Sequence, residues 1–253
     1  STFLRETTEG WKVIQQHGSL PDTRVQEGET IAFEMISKEN LELREAVKRR
    51  TVELENKNRE LEIEASLERV RAIAMGMKKP DDMLEVCLTI SQESEKLGIK
   101  DIRNVQTAII YEDKGTYINY EYYVKHDKSL TTEVDFKNHE LQRLFANKML
   151  QGAEELFRES LEGKEVQAWY EYQKTTNQYA DSFLESAQSL NYYFYSLGPV
   201  ALGISTYAPL SEEEINLFKR FRNVFDLAYR RFLDIQKALA QAREAQIEAS
   251  LER

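Results

Sequence analysis

The spacing of apolar and polar positions changes several times along the chain, and each change predicts a different element. Two short apolar runs, Thr2-Phe3-Leu4 and Trp11-Lys12-Val13-Ile14, flank the polar Thr7-Thr8-Glu9-Gly10 and predict a β-hairpin within residues 1–20. Two strands alone are marginal in water, so this hairpin calls for a sheet that the sequence does not contain; the other reading is an irregular N-terminal arm. From Glu29 to Met77 there is no proline, the first glycine is Gly76, and charge is dense. Ile36, Leu43, Val47, Leu54 and Leu61 keep a three-and-four spacing, the pattern of one apolar stripe on a helix. Ile63, Leu67 and Val70 then define a shifted stripe, read here as a stutter in a coiled coil. A helix this polar gains little from burial alone, which favours pairing with a second copy over a single solvated helix.

Lys78-Lys79-Pro80-Asp81 interrupts that helix. The next, from about Asp81 to Leu97, sets Met83, Val86, Cys87, Ile90 and Leu97 at helical spacing and stops at Gly98. Val105 to Glu112 is rich in β-formers, Asp113-Lys114-Gly115 is a turn, and Thr116 to Val124 alternates with many tyrosines. Residues 137–190 are expected to be mainly helical, broken at Gly163. Tyr192–Ser196 and Val200–Tyr207, joined by Leu197-Gly198-Pro199, predict a second hairpin.

The last helix has the clearest start signal. Ser211 is an expected N-cap with Glu214 as its capping-box partner, and Leu210 and Ile215 are spaced for a hydrophobic staple. Phe218, Phe225, Phe232 and Leu239 share one heptad position; Phe221, Ala228, Ile235, Ala242 and Ala249 share the other. The first half of this seam can pack on the domain, whereas the alanine-rich half beyond Leu239 is expected to project and pair. The expected dimer seam therefore comprises Val47, Leu54 and Leu61 with Phe218, Phe221, Phe225, Phe232, Ile235, Leu239 and Ala242. The heptapeptide Ile63-Glu64-Ala65-Ser66-Leu67-Glu68-Arg69 recurs unchanged as Ile247 to Arg253. Identity over a whole heptad exceeds what shared composition supplies, and predicts a tandem repeat whose outgoing helix begins the next unit.

Composition narrows the function classes. The 253 residues carry 31% charged side chains and a net charge of −10, with both signs interleaved, which argues against a basic nucleic-acid surface. A single cysteine, Cys87, fits a reducing compartment. No run approaches the length of a membrane helix and no charged-then-apolar leader opens the chain, so the expected location is cytoplasmic, without membrane contact from this stretch.

Several phrases resemble known families. Gly10-Trp11-Lys12-Val13 with His17-Gly18-Ser19 resembles the closing strands of SnoaL-like cone folds. Gly198-Pro199-Val200-Ala201-Leu202-Gly203 followed by Leu210-Ser211-Glu212-Glu213-Glu214 resembles the final strands and terminal helix of GAF domains. Arg49-Arg50-Thr51-Val52-Glu53-Leu54 with Asn58-Arg59-Glu60-Leu61-Glu62 is similar to linkers feeding bacterial sensor histidine kinases. Leu67-Glu68-Arg69-Val70-Arg71-Ala72 and Ala242-Arg243-Glu244-Ala245-Gln246-Ile247-Glu248-Ala249 look like helices flanking GAF-like repeats in Bacteroidetes signalling proteins. The resemblance covers about residues 30–253 and implies an α+β fold: a GAF/PAS-like antiparallel sheet with helices, flanked by long coiled-coil helices. The implied divisions are a SnoaL-like tail (1–28), a linker helix (29–77), a GAF-like sensor (78–210) and a C-terminal helix starting a second repeat (211–253). A two-component setting with an output module outside this chain follows from the same likeness. The Asn-Lys…Phe…Asp-Glu signature of cyclic-nucleotide GAF domains is missing apart from Asn147-Lys148.

No catalytic set stands out. His17, His126 and His139 are scattered without a helical ligand pair, so no metal site and no cofactor is expected. Cys87 lies on an apolar stripe and is expected to be a core thiol. His126-Asp127 is expected in a solvated loop, and no phosphate loop or dinucleotide fingerprint is present. Tyrosines and tryptophans crowd the strand regions, and Tyr120, Tyr122, Trp169, Tyr193 and Tyr195 are the candidate lining of a small-molecule pocket; they fit a sheet core or an interface as well. Alternation sends Tyr120 and Tyr122 to one face and Tyr117 and Tyr123 to the other, leaving open which is inward. The expected function is a non-catalytic signal-transmission fragment that forms a homodimer through its flanking helices. The alternative is a ligand sensor with an aromatic pocket.

Overall fold

In the computed structural model, which describes residues 2–7, 10–16, 33–152 and 156–251, the tyrosine-rich alternation builds a six-stranded antiparallel sheet. The chain separates into two units, one up to Glu60 and one from Leu61 to Arg253. In the first unit, β1 (Thr2–Thr7) pairs antiparallel with β2 (Gly10–Gln16), as the hairpin expectation has it. Thr8 and Glu9 of its expected turn, and His17-Gly18-Ser19, lie outside the described residues. Helix α1 runs without interruption from Phe33 to Gly76; residues 29–32 and the Ile36 side chain lie outside the description. Val47 and Leu54 are exposed on the first unit's part of α1, and Leu61 at the start of the second is 68% exposed.

The second unit begins with the last turns of α1. Leu67, Val70, Ala74 and Met77 are buried in the same core as the sheet. The shift in the apolar stripe at Ile63, Leu67 and Val70, read from the sequence as a coiled-coil stutter, is therefore the place where the helix turns an apolar face onto the domain. After a 3-10 turn at Pro80–Asp82 comes α2 (Met83–Lys96), ended by Gly98 at φ +101°.

The sheet strands are β3 (Ile102–Tyr111), β4 (Thr116–Tyr123), β5 (Lys128–Asp135), β6 (Leu156–Glu162), β7 (Ser189–Ser196) and β8 (Val200–Thr206). Their order is β5-β4-β3-β8-β7-β6, which puts the first and last strands side by side at the centre. Helix α3 (Glu140–Leu150), helix α4 (Lys164–Lys174) and a 3-10 turn at Ser182–Glu185 lie between β5 and β7 in sequence. The mainly helical expectation for 137–190 is thus corrected by β6, and β5 was also unforeseen. Both are edge strands. Their alternation is short and charge-diluted, as in Leu130-Thr131-Thr132-Glu133-Val134, because an edge strand carrying charges resists pairing with other chains.

Each face of the sheet has its own core. One gathers Val105, Ile109, Tyr120, Tyr193, Leu202 and Ile204 with α2, the end of α1 and the first half of α5 (Glu212–Leu251). The other gathers Ala108, Ile110, Tyr117, Leu190, Tyr192 and Phe194 with Phe145 and Met149 of α3 and Val166 and Trp169 of α4. The capping box forms as expected: Ser211 N donates to Glu214 Oε2 at 2.8 Å, and Glu214 N to Ser211 Oγ at 3.3 Å. Leu210 and Ile215 both join the first core.

Candidate functional site

The five aromatic candidates do not share one cavity. Tyr120, Tyr122, Tyr193 and Tyr195 face the α2/α5 layer, whereas Trp169 lies beyond the opposite face of the sheet. Period-two alternation requires this split: Tyr117 lies on the opposite face from Tyr120 and Tyr122. The Tyr120 ring meets Phe232 edge-on at 5.9 Å, Tyr195 meets Phe218 at 5.8 Å, and the Tyr193 hydroxyl accepts the Leu210 N–H at 2.8 Å. These rings are core, and the hydroxyls of Tyr193 and Tyr122 are hydrogen-bonded. The Phe218-to-Ile235 part of the expected seam has the same fate: Phe218, Phe221, Phe225, Phe232 and Ile235 are buried within their own domain. Leu239 and Ala242, like Val47, Leu54 and Leu61, are exposed.

The densest chemistry lies on the α3/α4 side, in residues that sequence patterning passed over. A bulge in β3 opposite β8 falls between Ile102 and Asn104. There Arg103, 2% exposed, places its Nε 2.9 Å from Asp181 Oδ2 and its guanidinium carbon 5.0 Å from the centre of the Tyr123 ring. Asp181 is fully buried just before the Ser182 turn. Its Oδ2 also accepts from the Tyr207 hydroxyl at 2.7 Å, while Oδ1 accepts from Phe183 N at 3.0 Å and lies 2.8 Å from His126 Nε2. Burial works to raise the Asp181 carboxyl, but Arg103, His126 and Tyr207 outweigh it and hold it below the usual carboxylate range. His126 therefore sits against a buried carboxylate, correcting the solvated-loop expectation; Asp127 beside it is exposed and accepts from the Tyr122 hydroxyl at 3.0 Å. With two partners at each oxygen, Asp181 has no free lone pair for a substrate. The cluster is a clasp tying the segment after α4 to the sheet.

Glu121 on β4 is different. It is 4% exposed and takes hydrogen bonds from Asn104 Nδ2 at 3.1 Å and the Tyr123 hydroxyl at 3.0 Å, both on Oε1. Burial raises its carboxyl above the ordinary value despite Arg103 and these donors. Asn104 also donates to Gln106 Oε1, and Ser205 Oγ bonds Asn104 Oδ1, so the polar strip continues onto β8. Among the described residues, the buried side-chain atoms without a hydrogen-bond partner behind the sheet are Asn119 Oδ1 on β4, Thr132 Oγ1 on β5, Gln142 Nε2 on α3 and Trp169 Nε1 on α4. An open cleft of about 130 Å³ lies where α3, β6 and β7 meet, lined by Lys148, Met149, Leu156, Phe157, Phe194 and Ser196.

Cys87 is fully buried, with Sγ 3.3 Å from both Thr107 Oγ1 and the Tyr120 carbonyl, and burial pushes its thiol up to about 12. It is a core thiol, as expected. His139 caps α3 by accepting the Leu141 N–H at 3.2 Å, and its ring lies 4.1 Å from that of Tyr172. Among the described residues no group of three or more His, Cys, Asp or Glu is gathered to hold a metal, and no helix is long and apolar enough to cross a membrane. No family model matches the chain, and none of the curated proteins searched matches it.

Arg103, Glu121 and Asp181 left only a faint signal. Arg103 and Glu121 interrupt otherwise uncharged strand runs, a sign of buried polar partners, but Asp181 sits in a stretch that looked helical and offered none.

Proposed function

We propose that this chain is a signal-transmission fragment. A GAF-like domain within residues 61–253 is coupled to α1 and α5, and two chains pair through the exposed stretches of those helices. The observation that carries this reading is the double character of α5. Within one unbroken helix Phe232 is fully buried against the domain and Leu239 is 53% exposed, so a shift of the sheet-facing half moves the projecting half as a rigid lever. The edge-on contact of Tyr120 with Phe232 links β4, an interior strand, to that lever. The GAF assignment rests on the phrases at Gly198–Gly203 and Leu210–Glu214, and an antiparallel sheet with helices on both faces is compatible with it. The SnoaL-like tail is part of the same proposal, resting on Gly10-Trp11-Lys12-Val13, and the buried reduced thiol fits a cytoplasmic setting. Sedimentation equilibrium of the full chain tests the pairing. A dimer that weakens on Leu239→Asp is expected; single chains at high concentration overturn it.

A second reading, a small-molecule sensor, is favoured by the cleft near Ser196. At about 130 Å³ the cleft falls below the ordinary range for drug-sized ligands, which points to a small polar metabolite. A thermal-shift screen should find a compound that raises Tm, with the shift lost in Lys148→Ala, which removes a side chain lining the cleft.

A further inference from the structure

The heptapeptide Ile-Glu-Ala-Ser-Leu-Glu-Arg occurs at 63–69 and again at 247–253, and the first copy shows what this sequence is shaped to grip. Leu67 is 5% exposed and Ser66 1%, with Ile63 half-buried beside them. Arg69 donates to Glu93 Oε2 at 2.6 Å and to Ser66 Oγ at 2.9 Å, while Lys96 holds Glu93 Oε1 at 2.6 Å. On the other side Arg220 of α5 donates to Glu64 Oε1 at 2.6 Å. The clamp thus has an apolar knob, Leu67, between an anion pointing at α5 and a cation pointing at a buried carboxylate of α2. Burial would raise that carboxylate, but Arg69, Lys96 and Ser66 bring it down to about 2, so Glu93 is a built anion that needs a cation beside it.

Ile247 to Leu251, the described part of the second copy, carry the same side chains in the same order as Ile63 to Leu67 on the same kind of element, without that cover. Leu251, in the place of Leu67, is 80% exposed, and Ile247, in the place of Ile63, is 50% exposed. We propose that residues 247–253 are a docking element for a domain of this same build. The partner surface carries a socket for Leu251, a buried carboxylate to receive Arg253 and a guanidinium to receive Glu248. This inference stands on the contacts of the first copy and not on the helix pairing proposed above. That pairing uses Leu239 and Ala242; docking uses Leu251, Arg253 and Glu248.

The one such surface at hand is this chain's own, occupied by its first copy, so the test weakens that occupant. The acceptor is the full chain with Leu67→Ala and Arg69→Ala, which opens the knob's socket and frees one side of Glu93, and Leu251→Asp, which silences its own second copy. The donor is the unmodified full chain carrying a fluorophore, and association is read by fluorescence-detected sedimentation. The acceptor is expected to bind the donor about tenfold more tightly than does a chain with Leu251→Asp alone, the worth of one charge-assisted contact. Donors with Leu251→Asp or Arg253→Ala should lose that gain, and a Leu239→Asp donor should keep it. Equal binding by both acceptors overturns the proposal. So does a gain lost with Leu239→Asp but kept with Arg253→Ala, which would assign the association to paired helices. Should the acceptor with Leu67→Ala and Arg69→Ala lack a cooperative thermal transition, Glu64→Ala, at an exposed position, serves in place of that pair with Glu248→Ala as the matching donor.

Discussion

Arg103 Nε and Asp181 Oδ2 lie 2.9 Å apart, with neither side chain more than 2% exposed. Two charges removed from water this completely repay their desolvation only when their remaining hydrogen-bonding capacity is filled, and here Gln173, Tyr207, His126 and Phe183 N fill it. Asp181→Ala should therefore cost about 3–5 kcal/mol, because it strands a buried guanidinium and three former donors. Urea denaturation followed by far-UV circular dichroism measures it, and a loss below about 1 kcal/mol would mean that the clasp contributes little.

Glu121 makes the opposite prediction. A carboxyl whose folded pKa is raised adds stability that is full below its unfolded value and lost as pH rises through the folded value. Glu121→Gln, which can still accept from Asn104 and Tyr123, should gain on the parent chain as pH rises from about 4.5 upward. Melting curves at pH 4, 6 and 8 check this; a constant gap between the two proteins refutes it.

Glu93 titrates in the other sense. Its pKa is held at about 2, so its contribution is present above the unfolded value and fades as pH falls towards the folded one. The expected acid loss is up to about 3 kcal/mol between roughly pH 5 and 2, and Arg69→Ala should shrink it and shift its midpoint upward. Identical acid transitions in the two proteins would count against the clamp.

Gly203 stands in the centre of β8, where a Cβ would overlap the buried Phe194 ring and press on Gln106 Cγ at 3.1 Å. Gly203→Ala should be destabilising by about 1–3 kcal/mol through overpacking, and Phe194→Leu in the same chain should recover part of it. A double-mutant cycle in urea reads the coupling; additivity would show that the ring moves freely.

The sequence was most informative in α5. Period alone placed β3, β4, β7, β8, α2 and the capped start of α5, because a half-buried strand and an amphipathic helix each write their burial into adjacent residues. Alternation also assigned Tyr120 and Tyr122 to one face and Tyr117 to the other. Periodicity does not say what covers an apolar stripe. The phenylalanine seam from Phe218 to Phe232 satisfies a coiled coil and a domain core equally well, and the core on α2 and the sheet took it. The edge strands β5 and β6 and the Arg103–Asp181 clasp came only with the tertiary structure. An edge strand needs little hydrophobicity, and two charges 78 positions apart become partners only when a bulge and a loop bring them into the same dry space.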